Sequence, residues 1–195
     1  EDLVARGEAV WNVEYRRVGQ AGGGWPGTFD DAAAAIDQLA TIAQSAPLDL
    51  ARVAVVGHSA GGQLALWAAG RASIRAGSPG AAPAVVPVLA IGQGPVGDLI
   101  ASDRDQLGGG AVTELLGGTP SDQPERYAVA TPSTATTARL VVVRGGDDTA
   151  VPAEYTLPPD HDAITVLDVP DEDHFDLIDP ASVAWAQVVA ELTTI

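Results

Sequence analysis

The chain has 195 residues, 46% of them apolar, a size and composition that suit one domain with a sizeable core. Its 26 acidic residues outweigh ten cations, all of them arginine, for a formal charge of −16; phosphate-rich surfaces are repelled, so neither nucleic acid nor an anionic membrane is expected as a partner. Cysteine is absent, which excludes disulfides and thiol chemistry, and the chain holds no zinc-ligand cluster, no phosphate loop and no apolar run of membrane-spanning length.

Glu1 to Gly7 reads as the end of a helix and Ala9 to Tyr15 as a strand. Glu14 and Arg16-Arg17 read as a local ion pair or as solvated charges. Trp25 lies in a Gly/Pro turn, where it lines a pocket or plugs the structure. Thr28-x-x-Asp31 opens an alanine-rich helix to about Gln44 in the manner of a capping box, and Pro47 to Asp49 breaks it. The apolar run Arg52 to Val56 predicts a strand, and the helix that follows reaches about Ala76. Trp11, Trp67 and Trp185 fall on strand or helix faces and read as core.

Between that strand and helix stands Gly57-His58-Ser59-Ala60-Gly61. Strand, sharp turn, serine and helix form the context of a nucleophile elbow. Gly57 and Gly61 are expected to give the turn its room, and the hydroxyl of Ser59 then points out above the strand ends. The N–H of Ala60 sits at a helix start, where unpaired donors and the helix dipole favour negative charge; that is half an oxyanion hole. His58 is held beside the nucleophile by the chain itself and is a candidate lining residue of the substrate pocket.

Val85 to Ile91 predicts the next buried strand, weakened by Pro87. Asp98 follows, as a helix cap or facing the pocket. Residues around 97–137 read as a cap-like insert over the site, with short helices near Val112–Leu116 and Asp122–Ala128. Arg139 to Val143 is strand-like and runs into Gly145-Gly146-Asp147-Asp148. Ala163 to Val169 is another strand, Pro170 to Asp173 a turn, and Ser182 to Leu192 the closing helix. Strands alternating with helices mean an α/β fold, a mostly parallel sheet covered on both faces.

A serine becomes a nucleophile only when a histidine takes its proton and a carboxylate orients that histidine. Only three histidines are available. His58 belongs to the elbow, His161 to a polar loop, and His174 to the loop after a late strand, the best place for the base. Asp148, or its neighbour Asp147, follows a buried strand. The order Ser59, Asp148, His174 is that of α/β-hydrolases.

Five stretches carry a resemblance: Val13-Glu14-Tyr15-Arg16-Arg17, Gly22 to Thr28, Gly57 to Gly62, Gly145-x-x-Asp148-x-x-Val151-Pro152, and His174-Phe175-Asp176-Leu177-Ile178-Asp179-Pro180. On these the chain resembles the α/β-hydrolase superfamily, most closely its small carboxylesterase and kynurenine-formamidase-like branch. The resemblance selects Asp148 over Asp147, since the family acid lies four residues before the proline. It implies a serine hydrolase that cleaves a small-molecule ester through an acyl-enzyme, with no metal or organic cofactor; an arylformamidase-type amide hydrolase and a non-catalytic binding module are the alternatives. Asp171-Glu172-Asp173 replaces the family's glycine-rich approach to the base, and three carboxylates there are expected to stabilise the imidazolium. Arg144 stands where the family commonly has histidine. The family's second oxyanion donor lies on a His-Gly-Gly type loop, which is absent from the 58 residues ahead of Ser59. The resemblance thus implies a fold that lacks its N-terminal strands, among them one between Val10–Tyr15 and Arg52–Val56. A separate N-terminal segment is expected to complete the sheet there, or the sequence is a piece of a longer chain.

Overall fold

The computed structural model describes residues 1–195. Four strands, β1 (Ala54–His58), β2 (Leu89–Gln93), β3 (Arg139–Gly145) and β4 (Ile164–Val169), form one sheet in the order β1-β2-β3-β4. All pairs are parallel: Ala54 lies opposite Leu89, Leu89 opposite Arg139, and Leu140 opposite Ile164. Seven helices accompany them: α1 (Asp2–Ala5), α2 (Gly27–Ile42), α3 (Ala60–Ala69), α4 (Leu99–Arg104), α5 (Ala111–Leu116), α6 (Pro124–Ala130) and α7 (Val183–Leu192).

Alternate strand residues point to opposite faces, and both faces are covered. Ala90, Leu140, Val142 and Ile164 pack with Leu66 and Ala69 of α3. Leu89, Ile91, Val141 and Val143 pack with Leu177 and with Ala184 and Val188 of α7. Burial on both sides explains why the β2 and β3 sequences are apolar runs without alternation. A further layer places Phe29, Ala32, Ala33 and Ile36 of α2 against Leu64, Trp67 and Ala68 of α3, together with Val112, Leu116 and Tyr127 of α5 and α6. Helices α4, α5 and α6 are tied together by the buried carboxylate of Asp103, which accepts from Thr113 Oγ1 and, at 2.9 Å, from Tyr127 OH. Burial, then the Asp103 hydrogen bond and charge, push the Tyr127 phenol above its usual range.

Several local expectations are corrected. Ala9–Tyr15 runs without a β partner, and Trp11 is 51% exposed rather than core. A cavity of about 650 Å³ separates this segment from β1, lined by Val13, Tyr15, Ile36, Val55, Gly57 and His58 among others. Strand β2 begins at Leu89, not Val85, because Pro87 offers no N–H to a ladder. Helix α3 stops at Ala69: Arg71 turns inward, 1% exposed, to bind Asp37 (2.6 Å) and the Gly80 carbonyl (2.8 Å). Helix α2 starts at Gly27 without the capping box. Asp31 instead accepts from the backbone N–H (2.9 Å) and guanidinium (2.7 Å) of Arg16, and Thr28 Oγ1 donates to the Arg16 carbonyl. Glu14 pairs with Arg17 at 2.8 Å.

The Arg16–Asp31 contact staples the residues ahead of α2 to that helix. The guanidinium hydrogen bond, then the Arg16 N–H, hold the Asp31 carboxyl down to about 2 from its ordinary 3.8. A depressed folded pKa contributes stability that is complete above the unfolded value and lost as pH falls through about 2. Asp31→Asn should therefore lower the melting temperature at pH 5 to 7. The gap from the parent should close in thermal melts taken as pH falls through about 2.

Candidate active site

The elbow forms where β1 meets α3. Ser59 has φ 55° and ψ −121°, a conformation that costs on the order of 1–3 kcal/mol in a non-glycine residue and persists only where the surroundings enforce it. The enforcement is close backbone packing. A Cβ on Gly57 would lie 2.1 Å from the Gly61 carbonyl oxygen, and one on Gly62 would meet Gly57 O and Pro95 Cβ at 3.0 Å. Gly61, expected to share this role, would meet only the Tyr15 hydroxyl, at an ordinary 3.5 Å; the tight pair is Gly57 and Gly62. The first turn-to-turn bond of α3 runs from Gln63 N–H to Ser59 O. The N–H groups of Ala60, Gly61 and Gly62 therefore precede the helix ladder, free to face negative charge.

Asp148 and His174 meet in a buried contact. His174 Nδ1–H donates to Asp148 Oδ2 at 2.7 Å, with the residues 7% and 8% exposed. The other Asp148 oxygen accepts from the N–H of Ala150 (2.9 Å) and Val151 (2.8 Å), so both carboxylate oxygens are satisfied. Glycines bring the two loops together. A Cβ on Gly145 would strike the Glu172 carbonyl at 2.2 Å, and one on Gly146 the Pro170 carbonyl at 2.1 Å. Gly94, at the end of β2 with φ +51°, faces the pair itself: a Cβ there would lie 3.0 Å from Asp148 Oδ2 and 3.1 Å from His174 Nδ1.

The three acidic residues before His174 do not surround its ring. Glu172 turns to the start of α7 and accepts from Val183 N–H (2.7 Å) and Ala184 N–H (3.1 Å). Asp173 accepts from the N–H groups of Phe175 (2.8 Å) and Asp176 (3.0 Å), bonds that hold its carboxyl below the usual range. Asp171 is exposed. Two of these carboxylates, Glu172 and Asp173, brace the loop through backbone N–H groups. Arg144 pairs with Asp168 on β4 at 2.7 Å.

The structure brings Asp148, not Asp147, to His174, and it sets the His58 ring 4.3 Å from the His174 ring, centroid to centroid. No hydrogen bond joins Ser59 Oγ to His174; Ser59 is bonded through its backbone, its N–H to Gln93 O at 2.9 Å. Asp98 caps α4, accepting from Ile100 N–H (3.1 Å) and Ala101 N–H (2.9 Å). Trp25 packs on Phe29, centroids 5.2 Å apart, and lines a groove with Arg75, Asp122 and Arg126. Sequence reading passed over Gly94 and Gln93. A glycine and an amide ending an otherwise apolar strand were the available signal.

A family model described as BD-FAE matches residues 1–157. No curated protein matches the chain. Among solved structures, a bifunctional GH43-CE protein of Bacteroides eggerthii aligns with TM-score 0.71 and 20% identity over 92% of this chain. The carboxylesterase Cest-2923 of Lactobacillus plantarum aligns with TM-score 0.68 and 17% identity over 93%. A thermophilic esterase of Thermogutta terrifontis, solved with butyrate bound, aligns with TM-score 0.65 and 18% identity over 93%. The chain spans 28% of the first protein's length, 72% of the second's and 68% of the third's.

Gly94→Ala tests the packing around the Asp148–His174 contact. The added methyl group should force the two side chains apart, so a downfield Nδ1 proton resonance of His174, expected in the parent protein from the 2.7 Å bond, should be lost or move upfield. An unchanged resonance would mean that the glycine is not required.

Proposed function

This chain belongs to the BD-FAE family of the α/β-hydrolase superfamily, and from that membership we propose that it is a serine hydrolase that cleaves a small carboxylic ester. Ser59 Oγ attacks the acyl carbon while Nε2 of His174 takes its proton. Nε2 then returns the proton to the leaving alcohol, and water releases the acyl group from Ser59 by the same exchange. Asp148 holds His174 in the tautomer that leaves Nε2 free to accept. The N–H of Ala60 is one donor to the oxyanion. These steps need no metal or organic cofactor.

The observation that carries the reading is the buried Asp148–His174 bond beside a serine held in a strained strand-to-helix turn. The descriptions of the solved relatives as esterases support an ester over an arylformamide. Ser59→Ala and His174→Ala should each cut turnover of p-nitrophenyl acetate by roughly three or more orders of magnitude, and the parent should turn over a formanilide far more slowly. Normal ester cleavage by Ser59→Ala would end the assignment. Equal or faster formanilide cleavage would instead favour the amidase.

We also propose that a separate N-terminal segment completes the sheet along the outer edge of β1 and supplies the second oxyanion donor. Two features support this. Ser59 N–H bonds toward β2, so by alternation the backbones of Ala54, Val56 and His58 face away from it, and β1 has no other strand partner. The 650 Å³ cavity lies along that edge and reaches Gly57, His58 and Gly61 at the elbow. An unpaired edge is a template for strand addition. Amide hydrogen exchange at Val56 and His58 should be nearly unprotected in the 195-residue chain, because no strand pairs with that side of β1. Protection already present in the 195-residue chain would contradict the proposal.

A further inference from the structure

His58 adjoins the nucleophile in the chain, yet its side chain is engaged with the base. Its Nε2–H donates to the main-chain carbonyl of His174 at 2.8 Å. Because a carbonyl only accepts, Nε2 carries the proton. The two imidazole rings lie 4.3 Å apart at 47°. The contact spans the whole sheet in topological terms: His174 follows β4 at one edge, whereas Ser59 ends β1 at the other.

Each of the strands β1, β2 and β3 places one side chain, at or beyond its C-terminal end, on the loop that carries the base. Asp148, after β3, takes the Nδ1–H of His174. Gln93, at the end of β2, donates its Nε2–H to the Leu177 carbonyl. His58, at the end of β1, donates to the His174 carbonyl. Only the last of these shares its strand end with the nucleophile. Asp148 and Gln93 fix the loop relative to the middle of the sheet, and His58 fixes it relative to Ser59.

We propose that His58 is a positioning residue that sets the separation between Ser59 Oγ and the imidazole of His174. The role rests on the serine-hydrolase reading above. Ser59 Oγ and His174 are not hydrogen-bonded to each other in this structure, so their separation is set by the backbones that carry them. The elbow is rigid, because Gly57 and Gly62 leave no slack. Of the tethers on the base loop, the one closest to Ser59 in the chain is His58. Burial pushes the His58 imidazole below its ordinary value, which favours a neutral ring beside the imidazolium that forms on His174 during attack.

The test compares two substitutions in p-nitrophenyl acetate hydrolysis. His58→Phe keeps a ring but no donor, and His58→Gln keeps an N–H donor at the reach of Nε2 without the ring. Misplacing reacting groups by about 1 Å costs on the order of a hundredfold, so His58→Phe should lower kcat by roughly tenfold to a hundredfold while KM stays within about twofold. His58→Gln should recover most of kcat. If His58→Phe does not fold, His58→Asn, whose amide stops short of the carbonyl, takes its place against His58→Gln. Parent-like kcat in the donor-free variant, equal impairment of both variants, or an effect confined to KM would each overturn the inference. An inert parent protein would overturn the hydrolase reading and this inference with it, an outcome distinct from the others.

Discussion

A buried carboxylate accepts the Nδ1–H of a buried imidazole across 2.7 Å, between Asp148 and His174, and Gly94, Gly145 and Gly146 leave room for that contact and for the loops that carry it. Burying a carboxylate is costly unless its oxygens are satisfied. Here one oxygen takes the imidazole and the other takes two backbone N–H groups. The loops that carry the two residues approach so closely that Gly145 and Gly146 cannot bear a side chain, and Gly94 leaves open the space that the pair occupies. Glu172, next to the base, anchors the same loop to the first turn of α7, where a carboxylate also meets the positive end of the helix dipole.

Against this well-braced half of the site, the serine side is less enclosed. Strand β2 is buried along its whole length, whereas every residue of β1 is only half-buried. The strand that leads into Ser59 is thus an edge strand with apolar side chains along a cavity. The Ser59 turn is packed on its other side as well. Its strain is held from the other side, by Gly57 and Gly62 against α3 and Pro95.

Much of the arrangement was legible in the sequence. The apolar runs of β1 and β3, the glycines that follow β3, and the Gly-His-Ser-Ala-Gly turn each carry a local physical signature. The parallel, doubly covered sheet follows from their alternation with helices. Asp148 over Asp147 came from the spacing to Pro152 in the resembling family, and the structure places Asp148 on the histidine. What failed to show depended on long-range partners. Asp31 looked like a helix cap because nothing local reveals Arg16 folding onto it. Glu172 gave no local sign that it would bond to the first turn of α7, because sequence cannot tell where a carboxylate turns. Ala9–Tyr15 had the pattern of a strand, but a strand needs a neighbour as well as a pattern.

The most direct measurement is peptide mapping by mass spectrometry after reaction with a fluorophosphonate, which phosphonylates only a serine activated by a nearby base. One adduct per chain, on Ser59, with its formation slowed by orders of magnitude when His174 is replaced by alanine, is the expected result. An unmodified Ser59, or an adduct that forms at the same rate without His174, would contradict the convergence of serine, histidine and aspartate at this end of the sheet.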